Sequence, residues 1–252
     1  MIVEYPTTGF RARIVYLQDL KDLVLTERKG WFDGPSGLNG FPASKMGAPP
    51  KGASPGRANK QNEPVLYLAS DVQTACSEVQ PSCEALISVA KFSIRNGLRI
   101  VDFREVPVEY QVTTNHDEPE IIKTSIFFNS IIELFSMPVS SRELDLYRYS
   151  QFIKGRLRSH RIDGIIFQSS HNQAVGAYNL VLFDPQNAFC VSEYGELYKC
   201  LSIKSSFQNI SVNSTKQTVH PFEAERTRVP FLWNETAMLL QDFKEQIDYT
   251  VT

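Results

Sequence analysis

From Gly34 to Asn62 the chain carries Lys45, Lys51, Arg57 and Lys60 and not one carboxylate. The same 29-residue window holds six of the 13 glycines and five of the 14 prolines. Such a segment is either a flexible surface loop or a functional one, because structureless loops beyond ~12–15 residues are uncommon inside a compact domain. Familiar catalytic patterns are absent. Gly47 to Gly52 has the glycine spacing of a phosphate-binding loop but lacks the Lys-Ser/Thr that must reach phosphate and magnesium. No G-x-G-x-x-G follows a strand, and H-E-x-x-H does not occur. The histidines His116, His160, His171 and His220 are scattered, so no metal site is expected. Cys76, Cys83, Cys190 and Cys200 form no C-x-x-C pair and are expected to be reduced, in a cytoplasmic protein.

The elements that must position these residues are legible in part. Val65 to Ala69 reads as a short strand between Pro64 and Ser70. Ser70 and Gln73 have capping-box spacing, and Val72, Ala75, Cys76 and Val79 then fall on one helical face, with Pro81 as the stop. Glu78 lies ~120° around from the centre of that face, directed along the sheet edge and away from the core. Asn96-Gly97 between Leu86–Ile94 and Leu98–Phe103 predicts a β-hairpin with a type I′ turn. Residues 113–120 form a polar, acidic loop, and Ile121 to Met137 fits helix or strand equally. A helix is predicted from Ser141 with Leu146, Tyr149, Ile153 and Leu157 on one face. Strands are predicted at Ile165–Phe167, at Tyr178–Phe183 and near Phe189 and Leu197. Strands and helices mixed without βαβ alternation indicate an α+β fold.

Bulk properties narrow the classes. The 252 residues carry 26 basic and 28 acidic side chains, a formal charge of -2 that gives no global field to hold a nucleic acid. Hydrophobic residues make up 42%, which suits a packed core. No apolar run reaches the ~18–20 residues of a membrane span, and Glu4 interrupts any secretory leader.

Several segments, taken in order, resemble one family. Gly56-Arg57-Ala58-Asn59, Leu66-Tyr67-Leu68-Ala69 and Thr74-Ala75-Cys76-Ser77-Glu78-Val79 look like the first half of the RES domain. Tyr149-Ser150-Gln151-Phe152-Ile153, Asp163 to Ser170 and Asn179-Leu180-Val181-Leu182-Phe183 look like its second half. The resemblance spans about Phe10 to Phe183 and places the family's Arg, Glu and Ser on Arg57, Glu78 and Ser169 and its site tyrosine on Tyr67. The chain is thus expected to comprise a RES domain over 1–207 and an extension over 208–252, polar at first and then helical from Asn234.

The resemblance implies an ADP-ribosyltransferase-like fold, NAD as substrate and no true cofactor. It further implies a toxin of a toxin–antitoxin pair, with an Xre-type antitoxin as partner and either a homodimer or a toxin–antitoxin hetero-oligomer as assembly. The implied reaction is cleavage of the nicotinamide–ribose bond with water or phosphate as acceptor. A protein-directed mono-ADP-ribosyltransferase and a catalytically silent binding module are the alternatives. Nicotinamide is cationic while attached and leaves neutral, so the chemistry needs stabilisation of an oxocarbenium-like centre more than a general acid. On that frame Glu78 is the catalytic carboxylate, Arg57 the pyrophosphate ligand and Tyr67 the stacking surface for nicotinamide. Ser169, with Ser170 as the neighbouring candidate, is expected to bond the nicotinamide amide or its ribose. Arg11 is a further phosphate contact, and Asn179 a support for the site.

Overall fold

The computed structural model describes residues 4–16, 18–19, 39–49, 55–112, 118–137, 147–172 and 174–203. The expected extension at 208–252, the cap at Asn234, the helix start at Ser141 and most of the acidic loop at 113–120 lie outside the described residues. In chain order the elements are β1 (Thr8–Val15), α1 (Ala43–Met46), β2 (Leu66–Ala69), α2 (Val72–Glu78), β3 (Leu86–Ile94), β4 (Ile100–Asp102), α3 (Pro119–Ser136), α4 (Tyr147–Ser159), β5 (Gly164–Gln168), β6 (Tyr178–Leu182), β7 (Ala188–Cys190) and β8 (Glu196–Lys199). The fold is α+β. One mixed sheet runs β4-β5-β6-β2-β1-β3-β7, with β8 also pairing β3.

The predicted hairpin does not form. β3 bonds β1 on one edge and β7 and β8 on the other, so it has no edge free for β4. β4 instead runs parallel to β5. Gly97 has φ +78°, but Asn96 is not among the residues with positive φ, and a type I′ turn needs both. Five places separate β3 from β4 in the sheet, ~24 Å if it were flat. The linking residues 95–99 reach ~21 Å at most. The sheet therefore curls. Ala90, Phe92 and Ile94 of β3 meet Ile100, Ile166, Leu180 and Leu182 from the far end in one buried cluster.

A second cluster lies between the sheet and α2. Ala75, with Val72, Cys76 and Val79 at its margin, packs on Ala12, Ala69, Ile87 and Val89. This is the helical face read from the sequence, but the cap is Asp71, not Ser70. Asp71 Oδ1 accepts from the Thr74 N–H at 2.8 Å, and the Ser70 hydroxyl donates to Asp71 Oδ2 at 2.6 Å. The cap thus falls one residue later than the sequence placed it, on a carboxylate that accepts from Thr74. α2 also ends at Glu78, ahead of Pro81, because Gln80 turns left-handed with φ +48°. Ile121–Met137, open between helix and strand, is helical as α3, whose Phe135 stacks on Phe103 at 5.5 Å. Among the described residues no helix is long and apolar enough to cross a membrane.

Candidate active site

Strand registry builds the floor of the site. Phe10 pairs with Ala69, Ala69 with Asn179, and Asn179 with Phe167, so these four stand in one row across β1, β2, β6 and β5. Side chains two residues along a strand share a face, which adds Ala12 and Tyr67. All six line one cavity of about 350 Å³. α2 packs over the same face, and Glu78, its last residue, reaches the cavity.

Glu78 is held by one oxygen. Ser169 Oγ donates to Oε1 at 2.6 Å and Asn179 Nδ2 donates to the same atom at 2.8 Å. Oε2 has no partner among the described residues. Charge-assisted bonds of this kind are short and strong, so they fix the carboxylate while leaving one oxygen for a ligand. Ser169 is 4% exposed and does not line the cavity. Its hydroxyl also accepts from the N–H groups of Asn172 at 2.9 Å and His171 at 3.3 Å. Ser169, expected from the sequence to bond the substrate, thus holds Glu78 through a bond within the protein.

Arg57 lies in the acid-free window and lines the cavity, yet much of its guanidinium is occupied. Nη1 donates to the Phe135 carbonyl at 2.6 Å, and Nη2 donates to the Met137 carbonyl and to Ser170 Oγ, both at 2.9 Å. The last turn of α3 has no basic residue of its own, so Arg57 supplies the cation that its carbonyl end favours. Three N–H bonds are thus taken, and the remainder are left for an anion. Ser169 and Ser170 divide the work, one holding the carboxylate and the other the guanidinium.

Tyr67 exposes its ring to the cavity while its hydroxyl is enclosed. The hydroxyl donates to Asn59 Oδ1 and accepts from the Ala58 N–H, each at 2.9 Å. Burial pushes the phenol well above its usual range, so it stays a neutral donor. A Cβ on Gly56 would stand 2.7 Å from Asn59 Oδ1 and 2.9 Å from the Tyr67 hydroxyl, hence glycine there. From outside, Gln151 Nε2 clamps the same loop, donating to the carbonyls of Gly56 at 2.9 Å and Asn59 at 2.8 Å.

Arg11 fills the seam where β1 and β2 share a single residue pair. Its Nη1 donates to the Tyr67 carbonyl at 3.3 Å, and its Nε is buried without a partner. Burial, with repulsion from Arg13, pulls the guanidinium down to about 10. A buried cation with no carboxylate bonded to it favours a site that receives an anion.

Arg11, Arg57, Tyr67, Glu78 and Asn179, all named from the sequence, therefore meet in one cavity, and Ser169 stands behind it. Sequence reasoning missed Asn59, Gln151 and His171. His171 lines the cavity beside Gln80, whose Nε2 is 2.9 Å from its Nε2. Gln151 sits inside a segment that carried the resemblance, so a signal was present without a role. No group of three or more metal-ligating side chains exists among the described residues.

Two comparisons bear on this geometry. The family model of the RES domain matches residues 35–198. No curated protein matches the chain.

Proposed function

The chain belongs to the RES-domain family, and on that premise we propose that it consumes NAD by cleaving the bond between nicotinamide and ribose, with water or phosphate as acceptor. The family is associated with NAD-related toxins, and an NAD-utilising enzyme is the activity it suggests. One observation carries the finer reading: Glu78, fixed through Oε1 and with Oε2 unbonded among the described residues, lines a cavity that also holds two guanidinium groups and an aromatic ring. Nicotinamide departs with the electron pair of the C–N bond, leaving positive charge on the ribose. Glu78 stabilises that charge or binds the ribose hydroxyls as it forms. Water then adds to the ribose carbon and releases a proton to solvent; phosphate adds in its place to give the phosphorylated sugar.

Arg11 and the unoccupied donors of Arg57 suit the pyrophosphate, and the Tyr67 ring suits the flat nicotinamide. Ser169 does not line the cavity, and its hydroxyl is engaged with Glu78 and two backbone N–H groups, which supports direct displacement over a serine-linked intermediate. In the cell this reading makes the protein the toxin of a pair whose partner is an Xre-type antitoxin.

Purified protein incubated with NAD should release free nicotinamide, and Glu78→Ala should release at least ~100-fold less, the scale seen when one transition-state contact is removed. Equal release by both proteins, or none by the wild type, would sink the proposal. Product analysis with and without added phosphate identifies the acceptor.

A further inference from the structure

A cavity of about 580 Å³ lies away from Glu78, between residues 60–64 and the outer side of α4. Its charged lining is one-sided. Lys60, Lys154, Arg156 and Arg158 face a single carboxylate, Glu63. Glu63 is already committed: it accepts from Lys154 Nζ and from the Lys60 backbone N–H, and Arg158 Nη1 is 3.6 Å away. Lys60 and Arg156 have no carboxylate partner among the described residues. A concave site with surplus cations whose carboxylate is already neutralised attracts an anion.

The uncharged lining comprises Pro64, Phe152 and Gly155 beside the amides of Gln61, Asn62 and Gln151. Phe152 is 52% exposed on α4 although its ring is large. Gly155 follows one turn later, and a Cβ there would meet nothing within 4 Å. Glycine inside a helix costs about 1 kcal/mol relative to alanine, and no packing among the described residues requires it. Its absence of a side chain leaves an open shelf beside the Phe152 ring, with Arg156 adjoining. A planar ring system fits that shelf, and the volume is that of a small-molecule site.

We propose that this groove is a second binding site, for a nucleoside phosphate, with the base against Phe152 over Gly155 and the phosphates on Lys60 and Arg156. The site is separate from the catalytic cavity, and its occupancy does not depend on what reaction that cavity performs.

Calorimetric titration of the full chain with ADP and with inorganic pyrophosphate tests this. ADP should bind saturably, and Lys60→Glu with Arg156→Glu should weaken it at least 10-fold. Phe152→Ala should weaken ADP several-fold and leave pyrophosphate unchanged, which separates recognition of the base from simple anion binding. Arg11→Met, which alters only the catalytic cavity, should leave this ADP site within twofold. Circular dichroism and thermal melting establish that each variant is folded; Phe152 and Lys60 side chains are exposed and their loss leaves the core intact. Absence of saturable ADP binding overturns the proposal. So does binding that follows Arg11 and ignores Lys60 and Arg156, or that is indifferent to Phe152.

Discussion

Ser169 and Glu78 are 91 residues apart in the chain and 2.6 Å apart at Oγ and Oε1. The serine brings a loop after β5 onto the end of α2, and the bond engages one oxygen of the glutamate while leaving the other unbonded among the described residues. Removing it should therefore disturb catalysis more than binding. Ser169→Ala is expected to lower kcat for nicotinamide release about 10- to 100-fold, roughly 1.4–2.7 kcal/mol, with KM little changed. Asn179→Ala should act in the same direction on the same oxygen. A Ser169→Ala enzyme with unchanged kcat would show that Glu78 needs no such support.

Arg57 joins the site to the end of α3 through the carbonyls of Phe135 and Met137. Arg57→Ala should lower stability by about 2–4 kcal/mol, since bonds to a charged donor contribute ~1.5–3 kcal/mol each and are only partly additive. Arg57→Lys should recover little, because an ammonium does not reproduce the guanidinium fork. Denaturant unfolding measures both; a variant as stable as the wild type would mean that the carbonyl contacts contribute nothing.

Gly56→Ala should destabilise the protein by about 1–3 kcal/mol by displacing the Tyr67 hydroxyl from Asn59 and the Ala58 N–H. Tyr67→Phe removes the same hydroxyl. If both act through it, the double variant unfolds at nearly the denaturant concentration of the worse single one, whereas independent effects would add.

Acid should loosen α2 from its N-terminus. Burial alone would raise the Asp71 carboxyl, but hydrogen bonds from Ser70 and Thr74 outweigh it and hold it below its ordinary value of 3.8. A carboxyl depressed on folding stabilises the native state above its unfolded value, and that contribution disappears as pH falls through the native one. Wild type should thus lose stability more steeply than Asp71→Asn below about pH 4. At neutral pH, Asp71→Ala should cost about 0.5–2 kcal/mol, the usual range for a helix cap. Parallel pH slopes for wild type and Asp71→Asn would count against the cap.

Local pattern made β2, α2, β5 and β6 legible, because each is a short apolar element whose period or bounding residues mark it. Asn96-Gly97 misled for the same reason that it was readable: it is a local cue, and strand pairing is settled by which edges remain free. Ile121–Met137 is apolar in a manner common to helix and strand, and only its packing against β5 distinguishes them. The site followed the same division. The identities of Arg57, Tyr67, Glu78 and Ser169 came from resemblance, whereas the part that Ser169 plays rests on a contact across 91 residues that no spacing encodes.

β1 stands between β2 and β3, and it carries Arg11 into the cavity. The family match begins at residue 35, after this strand has ended. A fragment cut to the match would retain Arg57, Glu78 and Ser169 but leave β3 with a bare edge eight residues long, where β1 had bonded it from Leu86 to Ser93. Such an edge, rich in apolar side chains, templates pairing with other chains. The motif residues and the folding unit therefore have different borders, and trimming to the first would give a sticky, inactive sheet.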